Sequence, residues 1–166
     1  TQGTLKELLL KLPKLPLISQ PGEEFHYGMS VDVLGYLIEV LTHKTLDVYM
    51  REAVLDTLQM HNTYFSIPKE NFSRMASLYK MTNNGKLEKV TKYFPYPTPQ
   101  NYFSGGAGLV STVADYARFA QMLLNKGELQ GVRILSPKTV ELMTSNSIGD
   151  LYIFTSFKHN GIMGDK

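Results

Sequence analysis

Apolar residues recur at helical spacing along most of the chain, and most runs carry a residue that starts or stops a helix. Thr4-Leu5-Lys6-Glu7 has the form of a capping box, with Leu5, Leu8, Leu9 and Leu12 as one face and Pro13 as the stop. Residues 13–24 hold several prolines and read as an extended connector. Ser30 is the expected cap of a second helix, and Val33, Leu34, Leu37, Ile38 and Leu41 give it a stripe of the kind that faces a core. Thr45 is expected to cap a third helix, with Leu46, Tyr49, Met50, Ala53 and Val54 inward. Thr112 and Asp115 make a second capping arrangement. The helix after it turns Tyr116, Phe119, Ala120, Leu123 and Leu124 inward and stops at Gly127. Ser136-Pro137 then opens a last helix carrying Val140, Leu142 and Met143.

Between residues 76 and 90 the period changes. Asn83-Asn84-Gly85-Lys86 is a two-residue hairpin signal, because a type I′ turn needs positive φ at both centres and Asn-Gly adopts it cheaply. Residues 93–100 hold three prolines and read as a loop with aromatic anchors. The pattern predicts a mainly α fold with one small β-hairpin. No internal repeat, low-complexity tract or linker divides it, so residues 1–166 read as a single domain.

Composition narrows the function classes. The 17 basic and 15 acidic residues are scattered, and Lys80, Lys86, Lys89 and Lys92 read as a solvated hairpin, not a nucleic-acid surface. No apolar run approaches the roughly 18 residues that suggest a membrane span. Zero cysteines exclude disulfides, thiolate metal sites and a cysteine nucleophile. His26, His43, His61 and His159 have no metal-like spacing, and no metal or organic cofactor is expected.

The chemistry centres on Phe25-His26-Tyr27-Gly28-Met29-Ser30, preceded by Pro21-Gly22-Glu23 and followed by Asp32-Val33-Leu34-Gly35. Downstream come Leu41-Thr42-His43-Lys44-Thr45-Leu46 and Leu58-Gln59-Met60-His61-Asn62-Thr63-Tyr64-Phe65. Gly105-Gly106-Ala107-Gly108-Leu109-Val110-Ser111-Thr112, with Asp115, Tyr116 and Phe119 behind it, and Ile134-Leu135-Ser136 complete the order. Together these segments resemble the serine β-lactamase and penicillin-binding-protein superfamily, in its class C-like, esterase-type branch. The resemblance implies that the chain is an internal fragment, the helical lobe of a β-lactamase/transpeptidase-like α/β fold whose central sheet is largely missing. It leans towards the cell envelope or secretion, although residues 1–18, with two prolines and no small-residue cleavage site, are not expected to be a signal peptide.

In that family a Ser-x-x-Lys helix supplies the nucleophile, a Tyr-x-Asn motif supplies a tyrosine for proton transfer, and a Lys-Thr-Gly or His-x-Gly strand lines the far wall. The resemblance makes Tyr27 the catalytic phenol and puts Met29 where the family usually has asparagine. Loss of that amide points away from a specialised β-lactamase and towards esters. Gly105, Gly106 and Ala107 would form a side of the substrate cleft, Ala107 facing in, a role compatible with Gly105, Gly106 and Gly108 serving as turn glycines. The substrate implied is a small ester, a β-lactam or a peptide-like amide.

Ser66-Ile67-Pro68-Lys69 and Ser77-Leu78-Tyr79-Lys80 fit Ser-x-x-Lys formally, but both follow Tyr27, whereas the family nucleophile precedes it. His159-Asn160-Gly161 imitates the third element but comes too early. A free phenol has a pKa near 10, so about one in a thousand is ionised at neutral pH. Without a cation and a serine beside it, a tyrosine is no base. The chain alone is therefore expected to be inactive, with a non-catalytic lobe for peptide-like or glycan-derived ligands as the alternative. A lobe without its sheet is also expected to expose an apolar face and to dimerise through it. Two departures from the family bear on stability: His43 stands at an expected left-handed glycine position, and Thr57 and Gln59 replace a proline and a glycine.

Overall fold

The computed structural model describes residues 3–90 and 101–151. The expected loop at 93–100 and the His159-Asn160-Gly161 segment lie outside the described residues. The fold is mainly α. Helices α1 (Leu5–Leu9), α2 (Ser30–Thr42), α3 (Leu46–Met50), α4 (Val113–Leu124) and α5 (Pro137–Met143) are accompanied by two small antiparallel hairpins. Among the described residues no helix is long and apolar enough to cross a membrane.

The capping box of α1 forms as expected: Thr4 Oγ1 accepts from the Glu7 amide and Glu7 Oε2 from the Thr4 amide. Leu5 and Leu9 are buried, and Pro13 sits in a 3₁₀ turn, Leu12–Lys14. Ser136 caps α5 through the Thr139 amide, and Thr112 caps α4 through the Asp115 amide. The other two caps differ. Ser30 is the first residue inside α2, and Met29 holds the cap position with no side-chain bond. Thr45 precedes α3, but the Leu46 amide donates to Glu39 Oε1 at 2.9 Å, so a carboxylate one helix back satisfies that end. After α3 the chain widens into a π turn, Arg51–Leu55, where the Asp56 amide reaches the Arg51 carbonyl.

The core gathers Leu55, Leu58, Met60 and Met122, with Phe119, Leu123, Ile134 and Leu135 packed around them. Asp115, buried at the third position of α4, accepts from the Asn62 amide at 2.7 Å and from Thr63 Oγ1 at 2.9 Å. Tyr64 and Val110 form an isolated bridge beside it. Arg118 donates to the Leu58 carbonyl and to both Gln59 and Gln130, tying the core loop to the second hairpin.

The inward faces need correction. Asp32 and Gly35, not the apolar stripe, are the buried residues of α2, while Val33, Leu34, Leu37 and Leu41 are exposed. In α4, Tyr116 and Leu124 point outward and Met122 is buried between half-buried Phe119 and Leu123. Leu142 and Met143 of α5 are exposed, leaving Val140 inside. Amphipathic spacing finds a helix, but it cannot say whether the surface meant for the apolar side is present.

Strands β1 (Tyr79–Met81) and β2 (Leu87–Lys89) pair in the register Tyr79↔Lys89 and Met81↔Leu87. Their connection is longer than a two-residue type I′ turn. The Gly85 amide bonds the Thr82 carbonyl and only Gly85 has positive φ, which is a type I turn closed by a left-handed glycine. Positive φ at both turn centres occurs instead at Gln130 and Gly131, between β3 (Glu128–Leu129) and β4 (Val132–Arg133). Gln-Gly is a weak turn signal, and that hairpin is an addition to the expected fold.

His43 adopts φ 55° and ψ 26° at the end of α2, the left-handed position expected of it, and Gln59 adopts φ 55°. A side chain there costs about 1 kcal/mol. His43→Gly is expected to raise stability by about 0.5–1 kcal/mol in urea unfolding, the backbone relief exceeding the added unfolded-state entropy. Gln59→Gly is expected to gain less, because it also removes the bond to Arg118. A drop with His43→Gly would show that the position carries no strain.

Candidate active site

The segment around Tyr27 runs directly into α2. The Met29 carbonyl accepts the Val33 amide at 3.0 Å, so the Met29 backbone, two residues after Tyr27, is fixed to the first turn. Tyr27 is 61% exposed, and His26 lies 3.1 Å from Glu24.

The glycine segment crosses that same helix end. A Cβ at Gly105 would stand 2.1 Å from the Val31 carbonyl oxygen and 3.2 Å from Asp32 Cα. A Cβ at Gly35, one turn on, would stand 3.3 Å from Gly105 Cα. Backbone meets backbone here only because neither residue has a side chain.

A buried carboxylate holds the crossing. Asp32 Oδ1 accepts from Ser104 Oγ at 2.6 Å and from the Tyr102 hydroxyl at 3.3 Å, and Ser104 Oγ in turn accepts the Gly106 amide at 3.2 Å. Asp32 is the third residue of α2, where the helix dipole favours negative charge. Tyr102 has its pKa raised above 10.0, first by burial, then by the Asp32 charge and the hydrogen bond it donates to that carboxylate.

A cleft of about 340 Å³ opens beside the crossing. Val31, Leu34 and Ile38 of α2 form one side, Leu46 and Met50 of α3 the floor, and Phe65 with the 104–109 segment the other side. Phe65 is set by an edge contact with Phe103, ring centres 5.6 Å apart. Gly105, Gly106 and Ala107 therefore line a cleft, while Tyr27 and Met29 stand at the N-terminal end of α2 and are not among its lining residues. Asp32, Ser104 and Tyr102 had not been singled out. An acidic residue in the first turn of α2 and a serine before paired glycines were the available signals, and their separation of 72 residues hid the pairing.

Neither late Ser-x-x-Lys lies on a helical turn. Pro68 intervenes before the 3₁₀ helix Lys69–Arg74 and Ile67 is buried, while Ser77 precedes β1 and Lys80 pairs with Glu88 at 3.3 Å.

The β-lactamase family model matches residues 2–151. The chain belongs to the β-lactamase family. Protein Rv1367c of Mycobacterium tuberculosis is 35% identical over 142 residues, which are 86% of this chain and 35% of that protein. N-acetylmuramyl-L-alanine amidase of Bacillus subtilis is 27% identical over 90% of this chain and 37% of its own length. Among solved structures, EstCE1, a hydrolase with promiscuous acyltransferase activity, superposes with a TM-score of 0.71 at 27% identity, covering 86% of this chain and 40% of its own. The chain thus spans well under half the length of these β-lactamase-family relatives.

Gly105→Ala is expected to cost more than about 2 kcal/mol, since a backbone carbonyl has to move, whereas Gly28→Ala, with open space around it, is expected to be neutral. Equal midpoints in denaturant would refute the close crossing. A second expectation follows from the raised Tyr102 pKa. Its contribution to stability is complete below the unfolded value near 10 and is lost as pH rises through the folded value. Tyr102→Phe should flatten the fall in stability above pH 10, read from unfolding midpoints across that range; an unchanged slope would refute it.

Proposed function

We propose that the chain, a single domain over residues 1–166, is the helical lobe of a serine hydrolase that transfers acyl groups from esters or amides. The serine oxygen attacks the carbonyl carbon, its proton passes to Tyr27, and Tyr27 returns that proton to the departing oxygen or nitrogen. Water then attacks the acyl-enzyme, giving a proton back through the same phenol and releasing the acid and the serine. Gly105, Gly106 and Ala107 form one wall for the substrate, and Met29 occupies the asparagine slot. Esters are favoured over β-lactams because a thioether cannot donate to a substrate carbonyl.

One observation carries this reading. The glycine segment crosses the same helix end that Tyr27 leads into, in a chain of the β-lactamase family. The chain's similarity to an amidase and to an acyl-transferring hydrolase supports the same chemistry. A binding lobe for peptide-like or glycan-derived ligands is the second reading. It draws on the cleft of about 340 Å³, which can take a ligand whether or not Tyr27 takes part in chemistry.

The chain incubated with a chromogenic ester and a chromogenic β-lactam is expected to give no burst, no turnover and no mass increase. An acyl adduct on Ser66 or Ser77 would overturn the assignment. In the intact hydrolase carrying this lobe, Tyr27→Phe is expected to lower kcat by about a hundredfold or more with KM little changed. Full kcat in that variant would remove Tyr27 from the chemistry and leave the binding reading.

A further inference from the structure

The carboxylate that holds the glycine segment is placed for more than packing. Among the described residues, the core around Leu55, Leu58, Met60 and Met122 takes no side chain from α2. Asp32 is nonetheless only 8% exposed, and burying a carboxylate is costly unless its bonds achieve what an apolar side chain would not. Both of its oxygens lie against the glycine segment. Oδ1 accepts from Ser104 Oγ at 2.6 Å, and a Cβ at Gly106 would stand 3.3 Å from Oδ2.

The direction of these hydrogen bonds matters as much as their length. An ionised carboxylate only accepts, so the Ser104 proton is committed to Asp32. That leaves the lone pairs of Ser104 for the Gly106 amide, which donates to them at 3.2 Å. Tyr102 donates to the same carboxylate oxygen, and burial followed by the Asp32 charge raises its pKa, so it stays a donor. The relay ends on a peptide that needs it. Between two glycines a peptide plane turns over at little steric cost, and each orientation shows a substrate a different group. The approach of Gly105 to the Val31 carbonyl fixes where the segment lies, but not which way the next amide points. Ser104 sets that direction, and Asp32 sets Ser104.

We infer that Asp32 is a positioning residue for acyl transfer, orienting the Gly105–Gly106 peptide of the substrate wall through the Ser104 hydroxyl. That role presupposes the acyl-transfer reading, which gives the wall its substrate, and it needs no contact between Asp32 and the reacting atoms. Misplacing a bound substrate by about 1 Å can cost about a hundredfold in rate. The loss falls on substrates large enough to press on the wall, and spares an acetyl group.

The test uses the intact hydrolase carrying this lobe and two chromogenic esters with one leaving group, an acetate and a branched-chain acyl ester. The amide of Asp32→Asn can donate to Ser104 and reverse the relay. This variant is expected to lower kcat/KM by about tenfold or more on the branched ester and by about threefold or less on the acetate. Ser104→Ala should give the same selective loss, and the double variant should lose no more than either alone. Ser104→Thr, which keeps the hydroxyl, should recover most of the selectivity. In the same enzyme Asp32→Asn should speed amide hydrogen exchange at Gly106 and leave the Asn62 amide, held by Asp115, as it was. Should Asp32→Asn unfold, Ser104→Ala carries both comparisons. Equal losses on the two esters, with faster exchange at Asn62 as well, would make Asp32 a structural residue and overturn the inference. Unchanged exchange at Gly106, or additive losses in the double variant, would overturn it too. A wild-type enzyme that turns over neither ester would overturn the acyl-transfer reading and this role with it. One that turns over both, with its preference unmoved by Asp32→Asn, would overturn this role alone.

Discussion

The contact between Gly105 and the Val31 carbonyl is the constraint on which the site's arrangement depends. With 2.1 Å available where a Cβ would stand, residue 105 must be glycine for the loop to lie against α2. Gly35 extends the same requirement by one turn. The loop could not stay there on close approach alone, because paired glycines are entropically costly to order. Asp32 supplies the specific hold, accepting two hydroxyl donors from residues 102 and 104, with Ser104 passing the connection on to the Gly106 amide.

Asp115 repeats that device. Each aspartate is the third residue of its helix, each is buried, and each accepts from a segment more than 50 residues away. A carboxylate in a first turn is stabilised by the helix dipole, which lowers the cost of burial, and charge-assisted bonds are stronger than neutral ones. Asp115 anchors the 62–63 turn to α4 and so fixes where Phe65 stands. Asp32 fixes the glycine wall opposite. The two walls of the cleft are thus set by two helix starts, not by the apolar core, which lies around Met122.

Much of this was legible in the sequence, and the failures have physical causes. Local signals held where the partner was local: Thr4 with Glu7, Ser136 with Thr139, and the left-handed end at His43. They failed where a distant group took over. The Leu46 amide is satisfied by Glu39, whereas the Thr112 cap formed as expected, with the Asp115 carboxylate held by Asn62 and Thr63. The hairpin around Gly85 was found in place with the wrong turn, since Asn-Gly is compatible with either geometry. For the candidate site, Gly105, Gly106 and Ala107 line the cleft, while Tyr27 and Met29 do not. The Asp32 latch was missed because no spacing rule links positions so far apart.

The outward stripe of α2 gives the periodicity a different meaning. An isolated helix is expected to be amphipathic towards its own core, yet here the inward positions are a carboxylate and a glycine, chosen for the loop they hold. The leucines beside them serve a second surface. One helix therefore carries two kinds of position on adjacent faces: Asp32 and Gly35 hold the wall, and Leu34, Leu37 and Leu41 are exposed. Tyr27 precedes that helix by three residues and lies outside the cleft lining. In the proposed hydrolase, proton transfer at Tyr27 would need a cation and a hydroxyl brought within hydrogen-bond reach of the phenol, since these convert it into a base and water does not.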